Sequence, residues 1–163
     1  MRMLPVIAII IPYFILMKTY RLIDTHLGLI ITYLVFNLPI AVWLIMRYFE
    51  DIPKEIEAAA LADGCSSLQA FRLVLLPLAL PGIIATFLFC LIFSWNEYLF
   101  ALILTRANSG TLPILLASFV AHKGVAWGPL SSTGLIATLP ILVCVIIFPK
   151  HLVRIMTMGM LKG

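Results

Sequence analysis

Acidic residues are scarce in this chain: seven Asp and Glu among 163 residues, set against eleven Lys and Arg. Charged residues of both signs make up only 11% and hydrophobic ones 63%, with a mean hydropathy of +1.15. A soluble globule of this size needs more polar surface than that, so the soluble classes drop out and an integral membrane protein remains. The net charge of +4 does not point to nucleic acid, because the basic residues are scattered singly, with no cluster and no stacking aromatics beside them. Cysteine is scarce too. Cys65, Cys90 and Cys144 lie far apart, the last two inside apolar runs where a thiol packs as a small apolar group, so there is no disulfide framework and no metal spacing. His26, His122 and His151 stand in separate loops or ends and do not group as ligands or bases. Ser94, Ser131 and Ser132 lack a base at usable spacing, so nucleophilic catalysis is not expected. Nothing implies a cofactor.

Apolar sequence, by contrast, is abundant. Crossing about 30 Å of hydrocarbon takes roughly 20 apolar residues, and residues 27–46, 82–104 and 130–149 each qualify. Every one of them holds a Gly, Pro or polar residue that neighbouring helices must accommodate. A fourth stretch, residues 3–17, is shorter, contains Pro5 and Pro12, and reads as a helix whose beginning is missing. Arg2 ahead of an apolar run also fits a secretory leader, but no small-x-small cleavage site follows, and Lys18, Tyr20 and Arg21 come next. The expected fold is all-α, a polytopic membrane bundle of about four spans. With four crossings, Arg2, Arg47, Lys54, Arg72, Lys150, Arg154 and Lys162 share one side, and Lys18, Arg21, Arg106 and Lys123 the other. The positive-inside bias then puts the loop 47–81 and the tail 150–163 in the cytoplasm and the loop 105–129 outside. Within that outer loop, which carries Gly110, Gly124, Gly128 and an exposed-looking Trp127, residues 112–120 are too short to span and read as an interfacial or re-entrant helix.

The scarce acids are unevenly spent: Glu50, Asp51, Glu55, Glu57 and Asp63 all fall between Arg47 and Pro81. Pro53 suits a first helical turn, where its missing N–H would have been unpaired, and Glu55 and Glu57 place negative charge near the positive end of the helix dipole. A first helix is expected from there to Asp63. Gly64 can take the left-handed conformation that stops it, and Ser66 with Gln69 makes a capping box opening a second helix that runs to about Leu76, where Pro77 follows. Ile52, Ile56, Ala59, Ala60 and Asp63 share one face of the first helix, and Leu68, Phe71 and Leu75 form an apolar stripe on the second. Two readings fit the periodicity: an amphipathic loop lying on the membrane surface, or an element held by another protein. Surface-lying helices favour Lys and Arg toward anionic lipid, and this segment is acidic.

At these residues the chain resembles the cytoplasmic "EAA" loop of ABC-importer permeases, whose pattern is Glu-Ala-Ala, three residues, Gly, nine residues, then an aliphatic, any residue and Leu-Pro. From Gly64, nine residues lead to Val74-Leu75-Leu76-Pro77, so the second half fits in full. In the first half the family's Glu falls on Ala58, followed by Ala59 and Ala60, while Glu57 stands one position upstream, roughly 100° around the helix. Ser94-Trp95-Asn96-Glu97-Tyr98, Thr111-Leu112-Pro113 and the closing Gly159-Met160-Leu161-Lys162-Gly163 extend the likeness over essentially the whole chain. They are similar to the carbohydrate branch, in particular the second permease subunit of maltose-type and glycerol-phosphate-type importers. Such subunits usually have six spans, and by this likeness the chain begins within the third. The resemblance implies a type I importer permease fold in the inner (plasma) membrane of a prokaryote. It further implies an ATPase-coupling role for Glu57, Ala58, Ala59, Ala60, Asp63, Gly64, Phe71, Leu76 and Pro77. The implied partners are a cytoplasmic ATP-binding subunit acting as a dimer, a second homologous permease subunit, an extracytoplasmic substrate-binding protein facing the outer loop, and the lipid bilayer. The sequence has no Gly-x-x-x-x-Gly-Lys-Ser/Thr phosphate loop, so ATP hydrolysis is expected on the partner and the chain is not expected to be an enzyme.

Asn96 and Glu97 interrupt an apolar run, and an ionisable residue inside a membrane is a candidate site. At 1.5 Å per residue, Glu97 stands roughly 22 Å along a span starting at Gly82. With Trp95 and Tyr98 beside it, it could line a polar sugar path or simply bond a neighbouring helix. Asn37, two residues before Pro39, could line the same path or satisfy the carbonyl that Pro39 frees. The function expected is translocation of a sugar or sugar derivative. The competing readings are a membrane scaffold or assembly protein carrying an acidic hairpin, and a truncated remnant that transports nothing.

Overall fold

A computed structural model describes residues 6–121 and 124–149. In chain order the elements are α1 (Val6–Thr19), α2 (His26–Glu50), α3 (Lys54–Ala62), α4 (Ser67–Ala70), a π-helical segment (Phe71–Leu75), α5 (Leu76–Trp95), α6 (Leu99–Leu104), α7 (Leu112–Ser118), the two-residue strands β1 (Val120–Ala121) and β2 (Gly124–Val125), and α8 (Trp127–Ile147). The strands pair antiparallel, Val120 with Val125 and Ala121 with Gly124, and the architecture is otherwise all-α. Among the described residues, three helices are long and apolar enough to cross a membrane: His26–Glu50, the continuous run Ser67–Trp95, and Trp127–Ile147. The shorter apolar helix at Ile9–Thr19 lies in the stretch expected to be a short first span. The tail 150–163, together with His122, Lys123 and residues 1–5, lies outside the described residues.

Why these runs stay helical in spite of their polar residues is visible in the hydroxyls. Thr32, Thr86 and Thr138 each donate to the carbonyl four residues back, those of Gly28, Gly82 and Gly134, at 2.6, 2.9 and 2.8 Å. Such back-bonding lets a hydroxyl sit in hydrocarbon with its donor satisfied. The large side chains that remain exposed are apolar: Ile11 at 67%, Leu135 at 72% and Ile146 at 74%, and no residue of α8 is buried. Exposure of this kind is the surface a lipid-facing helix offers.

Two expectations are corrected. The run 82–104 is not one continuous helix, because the helix stops at Trp95, turns through Asn96-Glu97-Tyr98 and restarts as α6. Glu97 causes the break: its carboxylate accepts the amides of Phe100 at 2.8 Å and Ala101 at 3.0 Å, taking donors that open α6. Nor does the second helix of the acidic segment stop at Pro77, which sits inside a helix running on to Trp95. The π segment explains this. The Leu76 amide reaches back five residues to the Phe71 carbonyl, loosening the ladder just where Pro77 has no N–H to give.

The chain divides into two compact units, residues 1–36 with 93–142 and residues 37–92 with 143–163. The first is organised around Met17, Phe100 and Leu104, buried to 2, 5 and 2% exposure. Tyr13 meets the Phe100 ring edge-on at 5.7 Å and Phe36 lies 4.5 Å from it, while the Tyr13 hydroxyl donates to Thr32 at 3.0 Å. In the second unit small residues carry the close packing: Ala60, Ala70, Ala79 and Ala85 are buried, and any Cβ on Gly82 would run into the Tyr48 ring. Phe49 of α2 stacks on Phe71 at 5.8 Å and 21°, which ties the π segment to the end of α2.

Candidate functional site

The acidic island folds as a helix, glycine and helix hairpin, and its chemistry is legible bond by bond. Pro53 caps α3 from an extended conformation, with Glu55 and Glu57 in the first turn. The helix closes in a Schellman arrangement: the Cys65 amide donates to Ala60 and the Gly64 amide to Leu61, both at 3.1 Å. Gly64 holds φ at +90°, where a side chain is strained, although a Cβ there would meet open space. Ser66 then opens α4 with the expected capping box: its Oγ accepts the Gln69 amide at 3.4 Å and its own amide donates to Gln69 Oε1 at 2.8 Å. The hinge is therefore capped on both sides of the glycine.

The faces differ in part from expectation. Of the residues expected to share a face of α3, Ala60 is buried, Ile52 and Ile56 are half-buried, and Ala59 and Asp63 are exposed. Glu57, Ala58 and Pro77 are exposed as well, and Leu76 is half-buried. Of the apolar stripe of the second helix, Leu68 is 64% exposed, Phe71 41% and Leu75 half-buried, and Leu61 and Leu73, which periodicity did not single out, are exposed at 43% and 69%. Around them Glu50, Asp51, Glu55, Glu57 and Asp63 are all exposed, and among the described residues the one ion pair is Arg47–Glu50 at 3.1 Å. Exposed apolar side chains together with exposed charged ones have the composition of a protein-binding surface.

The path candidates fall in both units. Asn37 is half-buried in α2 and belongs to the second unit. Trp95, Asn96 and Glu97 lie at the helix break of the first, where Asn96 is exposed. The Trp95 indole N–H donates to the Ala137 carbonyl of α8 at 3.0 Å, and both Glu97 oxygens serve α6. Tyr33 of α2, whose hydroxyl is buried, stands within range of the Glu97 charge.

One polar centre was not singled out from the sequence. Asp24, in the turn between α1 and α2, has φ of +57°, and its carboxylate accepts from the Arg106 amide at 2.7 Å, the Asn108 amide and side chain at 3.2 and 2.9 Å, and the Ser109 amide and hydroxyl at 3.2 and 3.0 Å. Partial loss of water pulls its pKa up, and the hydrogen bonds from Arg106, Asn108 and Ser109 outweigh that, so the carboxyl titrates below the ordinary Asp range. The local signal in sequence was the Thr25 cap, whose Oγ1 accepts the Gly28 amide at 3.0 Å; the partners of Asp24 stand more than eighty residues away.

The sequence around this hairpin, and nearly all of the chain with it, matches known proteins. The family model described as the binding-protein-dependent transport system inner membrane component matches residues 1–157. The chain is 37% identical to a probable ABC transporter permease protein of Sinorhizobium fredii, over 99% of this chain and 58% of that one. It is 37% identical to the trehalose transport system permease protein SugB of Mycobacterium tuberculosis, over 99% of this chain and 60% of that one. It is 31% identical to the trehalose/maltose transport system permease protein MalG of Thermococcus litoralis, over 99% of this chain and 59% of that one. The chain thus spans about three-fifths of the length of these relatives. Three long apolar helices, a capped hairpin between two of them and a match over nearly all residues have one common explanation: the chain belongs to the inner-membrane permease family of binding-protein-dependent ABC transport systems.

Proposed function

We propose that this chain forms part of the translocation path of an ATP-driven importer for a sugar or sugar derivative, and that the hairpin Lys54–Leu75 is the element a cytoplasmic ATPase subunit grips. The observation that carries this reading is the hairpin itself: a double cap around Gly64 holds a segment in which Leu61, Leu68, Phe71 and Leu73 are exposed together with the carboxylates of Glu55, Glu57 and Asp63. The π segment continues the hairpin directly into α5, so force applied to the hairpin passes into a membrane helix without an intervening loop. Relatives named for trehalose and for trehalose/maltose transport support the cargo class. The sequence has no phosphate loop, so ATP is hydrolysed on the gripping subunit, which acts as a pair. A second homologous permease subunit and an extracytoplasmic binding protein complete the machine. In this orientation the hairpin faces the cytoplasm and residues 105–129 face outward.

Gly64→Asp tests the docking role. The space around Gly64 is open, so the new side chain does not clash within the chain, but it strains a φ of +90° and puts bulk and charge at the hinge. Membrane insertion is expected to survive and co-purification with the ATPase subunit to be lost. If co-purification survives, the hairpin is not the docking element. Uptake of trehalose and maltose into proteoliposomes holding the assembled system then tests the cargo class.

A further inference from the structure

Asp24 has no part in the coupling hairpin and none in the apolar interior, yet its carboxylate accepts from five donors. Its own amide donates to the Leu104 carbonyl at 2.7 Å, where α6 ends. Its carboxylate gathers three donors of the chain that leaves α6, the amides of Arg106, Asn108 and Ser109. The left-handed backbone at φ +57° aims the side chain across that gap. Asn and Asp adopt this conformation more readily than other non-glycine residues. Ser109 is buried to 4% exposure although its neighbours Arg106, Ala107 and Asn108 are exposed, so the loop is pinned at one point and open around it. Two residues beyond Ser109, Thr111 stands at the N-cap position of α7 without a side-chain cap bond.

We propose that Asp24 is a positioning residue, a latch whose carboxylate folds the 106–109 loop onto the α1–α2 turn and thereby fixes where α7 begins. Without that carboxylate the three amides lose their shared acceptor, and backbone donors without one at the edge of a bilayer pull the loop toward water. The charged and titratable residues within three positions of the latch are Arg21 and His26 on its own side, and Arg106 on the loop. Among the described residues none of them forms an ion pair with Asp24. The depressed pKa of the carboxyl sets the pH sense. A carboxylate held below its unfolded value of about 3.9 contributes fully above that pH and loses its contribution as pH falls through the lower folded value. The latch therefore stays shut across neutral and mildly acidic media and opens only in stronger acid. None of this depends on the cargo or on the ATPase.

The test uses the full chain in nanodiscs, with Cys65, Cys90 and Cys144 replaced by Ser and a nitroxide attached at Ala107→Cys, an exposed position within the loop. An immobilised spectrum is expected from neutral pH down to about 4, with mobility rising below it. Asp24→Gly keeps the backbone conformation and removes the acceptor, and should give a mobile label at every pH. Asp24→Asn keeps the shape and removes the titration, so the acid transition should vanish. A label that stays immobile in Asp24→Gly, or an acid transition that persists in Asp24→Asn, overturns the proposal. Without any label, tryptic cleavage after Arg106 should be on the order of tenfold faster in Asp24→Gly than in the native chain. If Asp24→Gly does not fold, Asn108→Ala and Ser109→Ala each remove one side-chain donor and should raise cleavage by a smaller factor; native rates in both would overturn the latch.

Discussion

The two units use their carboxylates in opposite ways. In residues 1–36 with 93–142 the acids are Asp24 and Glu97, and both are consumed internally, each accepting backbone amides at a place where the chain must turn. In the other unit Glu50, Asp51, Glu55, Glu57 and Asp63 all face outward, and only Glu50 is ion-paired among the described residues. A membrane protein that can spare few charges thus divides them between holding its own backbone and presenting itself to its surroundings. The difference teaches how to read such residues: the number of backbone donors a carboxylate accepts, more than its position in an apolar run, separates a structural acid from an interface acid.

The contrast is broken most directly at Glu97. Removing it as Glu97→Ala leaves the amides of Phe100 and Ala101, both buried, without their charged acceptor inside an apolar run. Lost charge-assisted bonds and buried, unsatisfied donors together should cost about 2–4 kcal/mol, read as a shift in the SDS-unfolding midpoint. Glu97→Gln keeps one acceptor oxygen and should lose roughly half as much. If instead Glu97→Ala leaves stability intact and changes only uptake, the acid lines a path and the division between the units fails.

A mid-sized effect belongs to the hinge. Ser66→Ala removes one half of the capping box, and N-cap loss at an exposed helix start costs about 1 kcal/mol. The expected consequence is local: faster hydrogen exchange at the Gln69 amide and weaker ATPase association, with the unfolding midpoint of the first unit unmoved. Global destabilisation would mean that the hairpin holds up its unit and does not merely project from it.

These effects also explain what could be read from the sequence. The hinge was legible because caps are local chemistry: Pro53, Gly64, Ser66 and Gln69 act on amides within a few residues, and each residue type has a specific reason to be there. Two of the long apolar helices were legible from length and composition, and the third only in the part from Gly82 to Trp95. The break at Asn96-Glu97-Tyr98 was not, because apolar residues flank it on both sides and hydropathy cannot see a carboxylate folding back onto two amides. The π segment was equally hidden, since one widened turn leaves no periodic signature and Leu76-Pro77 reads locally as a stop. Asp24 was invisible for a different reason: its donors are non-local, so only the fold brings them together. Trp95 shows the same limit, its aromatic face suggesting a sugar while its N–H is engaged by α8.

The smallest effect sharpens the comparison from the other side. Arg47 and Glu50 meet at 3.1 Å with side chains 55% and 56% exposed, and Arg47 also lies over the Trp43 ring at 5.9 Å. An exposed pair one helical turn apart gains little over solvent, so Glu50→Gln should change stability by no more than about 0.5 kcal/mol, with the effect fading as salt rises. Glu57→Gln, with no ion pair to lose, should change it less. The reasoning binds both units: an acid that accepts no backbone amide has nothing in the fold to release when it is neutralised, so under the proposed docking role its effect is expected in ATPase association. If Glu50→Gln or Glu57→Gln shifted the unfolding midpoint as far as Glu97→Ala, exposure and bond count would have failed as guides, and the outward acids would belong to the fold after all.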